Sequence, residues 1–125
     1  MRILYLEDEA IIALETTEIL RDIGFEDVRV AYSLDGVEKA LQGDLPDVAL
    51  LDINLGHGRT SFELGRSLVG SGVTVVYATG YSASSLPGDL NAMVIEKPLS
   101  AAMLEDALRT ALGAEDERRV TGAAH

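Results

Sequence analysis

A set of polar residues in this 125-residue sequence combines the functional groups that phosphate chemistry uses. Each member lies at or just after the end of a short apolar segment, and the segments are spread along most of the chain. The set contains three carboxylates, one hydroxyl and one ammonium group. Its members are Glu7, Asp8, Asp52, Thr79 and Lys97.

Three carboxylates brought together repel one another and have raised pKa values unless a cation neutralises them. Oxygen ligands alone indicate a hard divalent ion, and Mg²⁺ prefers a few carboxylates together with waters and phosphate oxygens. One carboxylate can then act as a nucleophile and form an aspartyl phosphate. We predict that this nucleophile is Asp52, because it follows the most apolar segment and precedes a Gly-rich loop. Lys97 and the Thr79 hydroxyl are predicted to contact the transferring phosphoryl oxygens.

Each of these residues also has an ordinary structural explanation. Asp52, like the pair Glu7 and Asp8, could simply cap the helix that follows it. Threonine is common in strands, and a Lys-Pro pair means little alone. The hypothesis therefore depends on the joint occurrence of all the groups, each at the end of the appropriate strand.

Short apolar runs alternate along the chain with longer amphipathic stretches, which indicates five β/α units. The second apolar run contains a charged residue, Arg29, which favours a position near the edge of the sheet. Ser33 is predicted to cap the second helix and Ser100 the last one, and Thr60 with Glu63 to form a capping box for the third. Strands are predicted at residues 3–6, 28–32, 47–52, 73–77 and 93–95, and helices at 10–23, at 34–42, from the capping box to about 69, and after Ser100.

The predicted strands are apolar throughout instead of alternating, which is typical of a parallel sheet with helices on both faces. The predicted fold class is α/β, a flavodoxin-like (βα)5 doubly wound domain with a five-stranded parallel sheet in the order 2-1-3-4-5. The carboxyl ends of parallel strands share one edge, so the polar set should converge there. The domain is predicted to span residues 1–112, followed by a flexible tail at 113–125 that lacks apolar periodicity.

The fourth unit has an unusual composition for a helix. Residues 78–90 contain three serines, two glycines and a proline, all of which disfavour helix formation. We therefore predict a short or mobile fourth helix next to the polar set.

The composition favours a small globular protein, with 47% apolar and 25% charged residues and no cysteine. The first apolar run is too short for a signal peptide, and no apolar stretch is long enough to span a membrane. A cytoplasmic location without membrane attachment is therefore expected. The formal net charge of −11 would repel a phosphate backbone, so direct nucleic-acid binding is not expected.

From Arg2 to about Leu112, the sequence resembles the receiver domain of two-component response regulators. The similarity is carried by four short motifs at the predicted strand ends, and their combination is highly specific. The motifs are Leu6-Glu7-Asp8-Glu9, Leu51-Asp52-Ile53-Asn54, Ala78-Thr79-Gly80 and Lys97-Pro98.

The resemblance implies that a sensor histidine kinase, or a histidine phosphotransfer protein, donates a phosphoryl group to Asp52. It implies a Mg²⁺ ion bound by Asp8, Asp52 and the backbone carbonyl of Asn54, with Glu7 acting partly through water. It also implies a cis peptide bond before Pro98, which proline makes accessible.

The sequence departs from the common receiver pattern at Val94. Many receivers carry an aromatic residue three positions before the lysine, and it rotates inward on activation. The segment 77–81, Tyr-Ala-Thr-Gly-Tyr, resembles the FATGUY signature of stand-alone receivers that lack this aromatic. Tyr81 could then replace it as the signal reporter, or it could be a partly exposed loop residue. Tyr81 and Pro98 are the candidate switch residues.

The leading functional hypothesis is a stand-alone signalling switch that is not a turnover enzyme. An activated binding module, a phosphate relay and a phosphate sink all remain open as its role. One alternative is an aspartate-nucleophile phosphatase of the haloacid dehalogenase kind, although Asn54 replaces the usual general acid. Another is a pseudo-receiver that binds a partner without phosphate.

Overall fold

The computed structural model describes the backbone of residues 1–80 and 92–123 and the side chains of residues 1–80 and 92–113. Strands and helices alternate along residues 1–80, and one strand and one helix follow in residues 92–123. The strands are β1 (Arg2–Leu6), β2 (Asp27–Ala31), β3 (Val48–Asp52), β4 (Thr74–Thr79) and β5 (Met93–Glu96). The helices are α1 (Ala10–Ile23), α2 (Val37–Leu41, after a 3₁₀ turn at Leu34–Gly36), α3 (Phe62–Gly70) and α4 (Ala101–Ala123).

The five strands form one parallel sheet in the order β2-β1-β3-β4-β5, which confirms the predicted flavodoxin-like fold and strand order. Every residue of the central strand β3 is buried, and so is every residue of β4. Continuous apolar strands of this kind require helices on both faces, because neither face can be left to solvent.

Two separate cores lie on the two faces of the sheet. One contains Leu4, Leu51 and Tyr77, packed against residues of α2 and α3 such as Leu68. The other contains β-strand residues of the opposite parity, packed against α1 and α4. Its buried members include Ile3, Tyr5, Leu20, Leu50, Val76 and Leu104.

The edge position predicted for the second strand is confirmed, and an ionic network holds that edge. Asp27 accepts hydrogen bonds from the Arg2 Nε at 2.8 Å and the Arg29 Nε at 2.6 Å. The two guanidinium groups hold the pKa of Asp27 down, at about 2. Arg29 also donates to the carbonyl of Ala40, which ties β2 to the end of α2.

Two of the predicted helix caps are confirmed and one is wrong. Ser33 accepts a hydrogen bond from the Gly36 N–H, and Ser100 accepts one from the Met103 N–H. The capping box of Thr60 and Glu63 does not form, because residues 54–60 fold back into a closed loop in which Thr60 pairs with Asn54. The N-cap of α3 is therefore Ser61, whose side chain makes no capping hydrogen bond.

Three further expectations concern the fourth helix, the domain boundary and membrane-spanning segments. The predicted short or mobile fourth helix falls largely on residues 81–91 and lies outside them. The helix α4 continues to Ala123, and the domain boundary at residue 112 stays a prediction. Within residues 1–80 and 92–123, no helix has the length and apolarity to cross a membrane.

A close approach between α3 and β4 depends on a glycine. A Cβ atom at Gly65 would lie 1.8 Å from the Tyr77 Oη and 2.6 Å from its Cζ. The Tyr77 ring is 1% exposed and also packs against Phe62, with ring centroids 5.6 Å apart. Only a residue without a side chain fits at position 65 while the ring keeps this place.

We expect Gly65→Ala to lower the free energy of unfolding by about 1–3 kcal/mol, the usual cost of overpacking a core. Urea denaturation would measure the change. Gly70→Ala is the matched control, because it lies in the same helix and a Cβ there meets nothing within 4 Å. Equal stability of the two variants would show that the ring does not need the space at Gly65.

Candidate functional site

The parallel register brings the ends of four strands to one edge of the sheet. Leu6 of β1 pairs with Leu51 of β3, so the residues that follow them, Glu7 and Asp52, lie side by side. Asp52 pairs with Ala78, the residue before Thr79. The Lys97 N–H donates to the Thr79 carbonyl at 2.8 Å, which positions the start of the last loop against β4. The sheet therefore brings the predicted residues together.

The centre of the site is a lysine between two buried carboxylates. The Lys97 Nζ lies 2.7 Å from the Glu7 Oε1 and 3.1 Å from the Asp52 Oδ2. Glu7 is 1% exposed and Asp52 is 5% exposed, so water reaches neither carboxylate freely. Charge-assisted hydrogen bonds of this length compensate part of the cost of burying the charges.

The electrostatics of the site follow from this crowding. The pKa of Asp52 is raised from 3.8 to about 7, mainly by burial and next by the charge of Glu7, while the Lys97 ammonium opposes the rise. Burial tends to lower the pKa of Lys97, but its bonds to Glu7 and Asp52 outweigh this and raise it. Lys97 therefore stays charged, while Asp52 is a carboxylate that burial and a like charge destabilise.

Asp8 completes an acidic cluster that fits a divalent cation. One carboxylate oxygen from each of Glu7, Asp8 and Asp52 can be chosen so that all lie within 4.8 Å of one another. Three carboxylates and one ammonium leave an excess of negative charge, and all the acidic ligand atoms are oxygens. Mg²⁺ has this ligand preference, and the exposure of Asp8 leaves a side for waters. The residues present therefore fit the predicted ion.

The loop after Asp52 lies beside this cluster and has an unusual backbone. Three consecutive residues, Gly56, His57 and Gly58, have positive φ angles of 81°, 53° and 73°. The loop closes on itself, with the Leu55 N–H donating to the Arg59 carbonyl. A Cβ at Gly56 would lie 3.9 Å from the Asp8 Oδ2, an ordinary contact distance, so the backbone favours glycine here for its positive φ and not for space.

The remaining predicted residues have different outcomes. Thr79 is 1% exposed at the end of β4, and Asn54 is exposed at the start of the loop. The peptide bond between Lys97 and Pro98 is cis, as the resemblance implies. Tyr81 lies outside the described residues, so its predicted role stays a prediction.

Two features of the site escaped the sequence interpretation. Val94 is the register partner of Tyr77, so a buried aromatic lies next to the position where the common receiver aromatic is missing. Tyr5 lies among buried apolar residues two positions before Glu7, with a hydroxyl that makes no hydrogen bond to the described residues. The only signal in the sequence was a tyrosine within an otherwise aliphatic strand.

No protein-family model matches the chain, and no curated protein is significantly similar to it. Solved structures do share its fold. A response regulator receiver protein from Sinorhizobium medicae WSM419 is 27% identical, with a TM-score of 0.78 over 92% of this chain and 96% of that chain. SdrG from Sphingomonas melonis Fr1 is 28% identical, with a TM-score of 0.74 over 90% of this chain and 95% of that chain.

A longer protein also matches. The response regulator PhyR from Brucella abortus is 25% identical, with a TM-score of 0.82, and the match covers 99% of this chain but 51% of PhyR. The structural neighbours are thus receiver domains of response regulators, and this chain has the receiver fold. It spans about half the length of PhyR.

The raised pKa of Asp52 gives a prediction for the metal-free protein. A carboxyl group with a raised pKa binds its proton more tightly in the folded state, so stability falls as the pH rises from about 4 to about 7. We expect Asp52→Asn to reduce this fall and to raise the free energy of unfolding at pH 8 by about 1–3 kcal/mol. Urea denaturation in a chelator would measure both effects.

The control for this experiment is Asp106→Asn, which removes an exposed acid on α4. It should keep the wild-type dependence on pH. If Asp52→Asn also keeps that dependence, the carboxyl group of Asp52 titrates as it would in water, and the crowding described above has no energetic effect.

The acidic cluster predicts stabilisation by Mg²⁺. An ion present at ten times its dissociation constant raises the free energy of unfolding by about 1.4 kcal/mol. We expect Mg²⁺ to raise the thermal unfolding midpoint of the wild type and to have much less effect on Asp8→Asn. Asp22→Asn, which removes an exposed acid near the far end of α1, should respond like the wild type. An equal response of all three proteins would place the ion elsewhere.

Proposed function

We propose that the protein is a phosphoacceptor switch, in which Asp52 takes a phosphoryl group from a phosphohistidine of a sensor histidine kinase or a histidine phosphotransfer protein. The observation that carries this proposal is the Lys97 ammonium, held 3.1 Å from a buried Asp52 carboxylate and beside an acidic cluster that fits Mg²⁺. The receiver fold of its structural neighbours supports it.

The chemistry is a transfer between two groups. An Asp52 carboxylate oxygen attacks the phosphorus, the bond from phosphorus to the donor nitrogen breaks, and that nitrogen keeps the electron pair. A bound Mg²⁺ ion would supply charge neutralisation for the phosphoryl oxygens. Lys97 stabilises the negative charge on these oxygens, and the Thr79 hydroxyl is proposed as a hydrogen-bond donor to one of them.

The identity of residue 54 supports a slow hydrolysis of the proposed phosphorylated form. The residue two positions after Asp52 is Asn54, whose exposed amide is too weak an acid to protonate a leaving group and too weak a base to activate a water. Hydrolysis of the aspartyl phosphate is therefore proposed to be slow, so that the phosphorylated state lasts and carries a signal. Sustained turnover of phosphomonoesters by a dehalogenase-like phosphatase is the alternative that this difference disfavours.

The finer features of the proposal come from the sequence. We propose that the chain is a stand-alone, FATGUY-like receiver, on the strength of the 77–81 segment and of Val94. We also propose a cytoplasmic location. Its output is then an exchange of protein partners or a further phosphate transfer. Tyr81 and Pro98 are the proposed reporters of the phosphorylated state.

The first experiment is intact mass spectrometry after incubation with acetyl phosphate. We expect one phosphoryl adduct in the wild type when Mg²⁺ is present, and none in Asp52→Asn. Asp47→Asn is a useful control, because this exposed acid lies just before the other end of the same strand. It should form the adduct like the wild type.

Other outcomes distinguish the alternatives. Continuous release of phosphate without an adduct would support the phosphatase. Absence of both adduct and release, in a protein that still binds Mg²⁺, would contradict the phosphoacceptor proposal and favour a binding module that works without phosphate.

A further inference from the structure

Tyr5 places a hydroxyl group inside the protein directly beside the acidic cluster. Tyr5 lies in β1, and Glu7 directly follows that strand, with its N–H still paired to Ala31 of β2. Because side chains alternate along extended backbone, residues 5 and 7 lie on the same face of the sheet. The register partner of Tyr5 is Leu50, two residues before Asp52. Tyr5 is 1% exposed, and Thr16 of α1 lies over it.

The Tyr5 hydroxyl is a buried polar group without a hydrogen-bond partner among the described residues, as are the hydroxyls of Ser61 and Thr74. Most buried polar groups in proteins have such a partner. Burial raises the pKa of the Tyr5 phenol, the nearby Thr16 hydroxyl opposes the rise, and the charges of Glu7 and Asp52 add to it. The Tyr5 O–H is therefore a buried donor on the same face of the sheet as two carboxylates.

Glu7 shares one of its hydrogen-bond donors, the Lys97 ammonium, with Asp52. Its Oε2 accepts a hydrogen bond from the Glu9 N–H at 3.2 Å, and its Oε1 accepts one from the Lys97 Nζ at 2.7 Å. The same ammonium also forms an ion pair with Asp52. A phosphoryl group on Asp52 would attract Lys97 and weaken its bond to Glu7. Because Glu7 is 1% exposed, bulk water has little access to its carboxylate and does not readily replace the lost hydrogen bond.

We propose that the Tyr5 hydroxyl is a positioning group held in reserve for Glu7. When Lys97 turns towards the phosphoryl group, the Tyr5 O–H donates a hydrogen bond to the Glu7 carboxylate and keeps it in place. No covalent bond changes, and the proton stays on Tyr5. This inference rests on the proposed function for its role, but the relation between Tyr5, Glu7 and Lys97 can be measured without phosphate.

The first test uses Lys97→Met, which removes the shared donor permanently. In the wild-type background, we expect Tyr5→Phe to leave the urea unfolding midpoint unchanged or higher, because the lost hydroxyl has no hydrogen-bond partner among the described side chains of residues 1–80 and 92–113. In the Lys97→Met background, the same substitution should lower the midpoint. Tyr77→Phe, at a tyrosine buried on the other face of the sheet, should have one effect in both backgrounds. An equal effect of Tyr5→Phe in both backgrounds would refute the reserve donor.

The second test reads the role in phosphorylation. With acetyl phosphate and Mg²⁺, Tyr5→Phe should phosphorylate about tenfold more slowly than the wild type, in line with the loss of one hydrogen bond to a charged group. It should cause no further slowing in Glu7→Gln. Tyr77→Phe should keep the wild-type rate.

The two tests distinguish a failure of the proposed role of Tyr5 from a failure of the proposed phosphoacceptor function. If Tyr5→Phe phosphorylates at the wild-type rate, or slows Glu7→Gln as much as it slows the wild type, the positioning role is refuted while the phosphoacceptor stands. If the wild type forms no adduct, the proposed function fails, and the unfolding experiment still decides whether Tyr5 replaces Lys97 at Glu7.

Discussion

The contact of one ammonium group with two buried carboxylates is the interaction on which the site depends. Glu7 and Asp52 are neighbours because β1 and β3 pair in register, and like charges this close would repel without Lys97 between them. Lys97 reaches them because its own N–H is hydrogen-bonded to the end of β4. With Asp8 nearby, the cluster keeps an excess of negative charge, which favours a divalent cation.

The site combines parts of different rigidity. Glu7, Asp52 and Thr79 stand at the ends of buried strands, where hydrogen bonds to neighbouring strands hold the backbone. Asp8 and Asn54 are exposed, and the loop after Asp52 relies on consecutive residues with positive φ. The nucleophile and its counter-charge are thus fixed by the sheet. The groups that would meet waters and an incoming phosphoryl donor lie where the chain can adjust.

The two buried tyrosines give the two faces of the sheet different tasks. Tyr77 fills space left by Gly65 and so controls how closely α3, which follows the site loop, approaches β4. Tyr5 lies on the α1 side and brings a hydroxyl close to the carboxylates. Both are core residues by burial, yet each connects the core to the residues that carry the proposed chemistry.

Sequence patterns were sufficient for the architecture and for the membership of the site. Continuous apolar segments indicated a parallel sheet, and residues at the ends of parallel strands must converge, so Glu7, Asp52, Thr79 and Lys97 could be grouped before any coordinates. The failed capping box of Thr60 depended on the closure of the preceding loop, a contact with Asn54 that helix signals do not encode. Only the tertiary structure decided the space at Gly65, the bridging position of Lys97 and the lack of a partner for the Tyr5 hydroxyl within the described part of the chain. They are distances between side chains on different elements, and a linear pattern records which groups are present and on which face, but not how close they come.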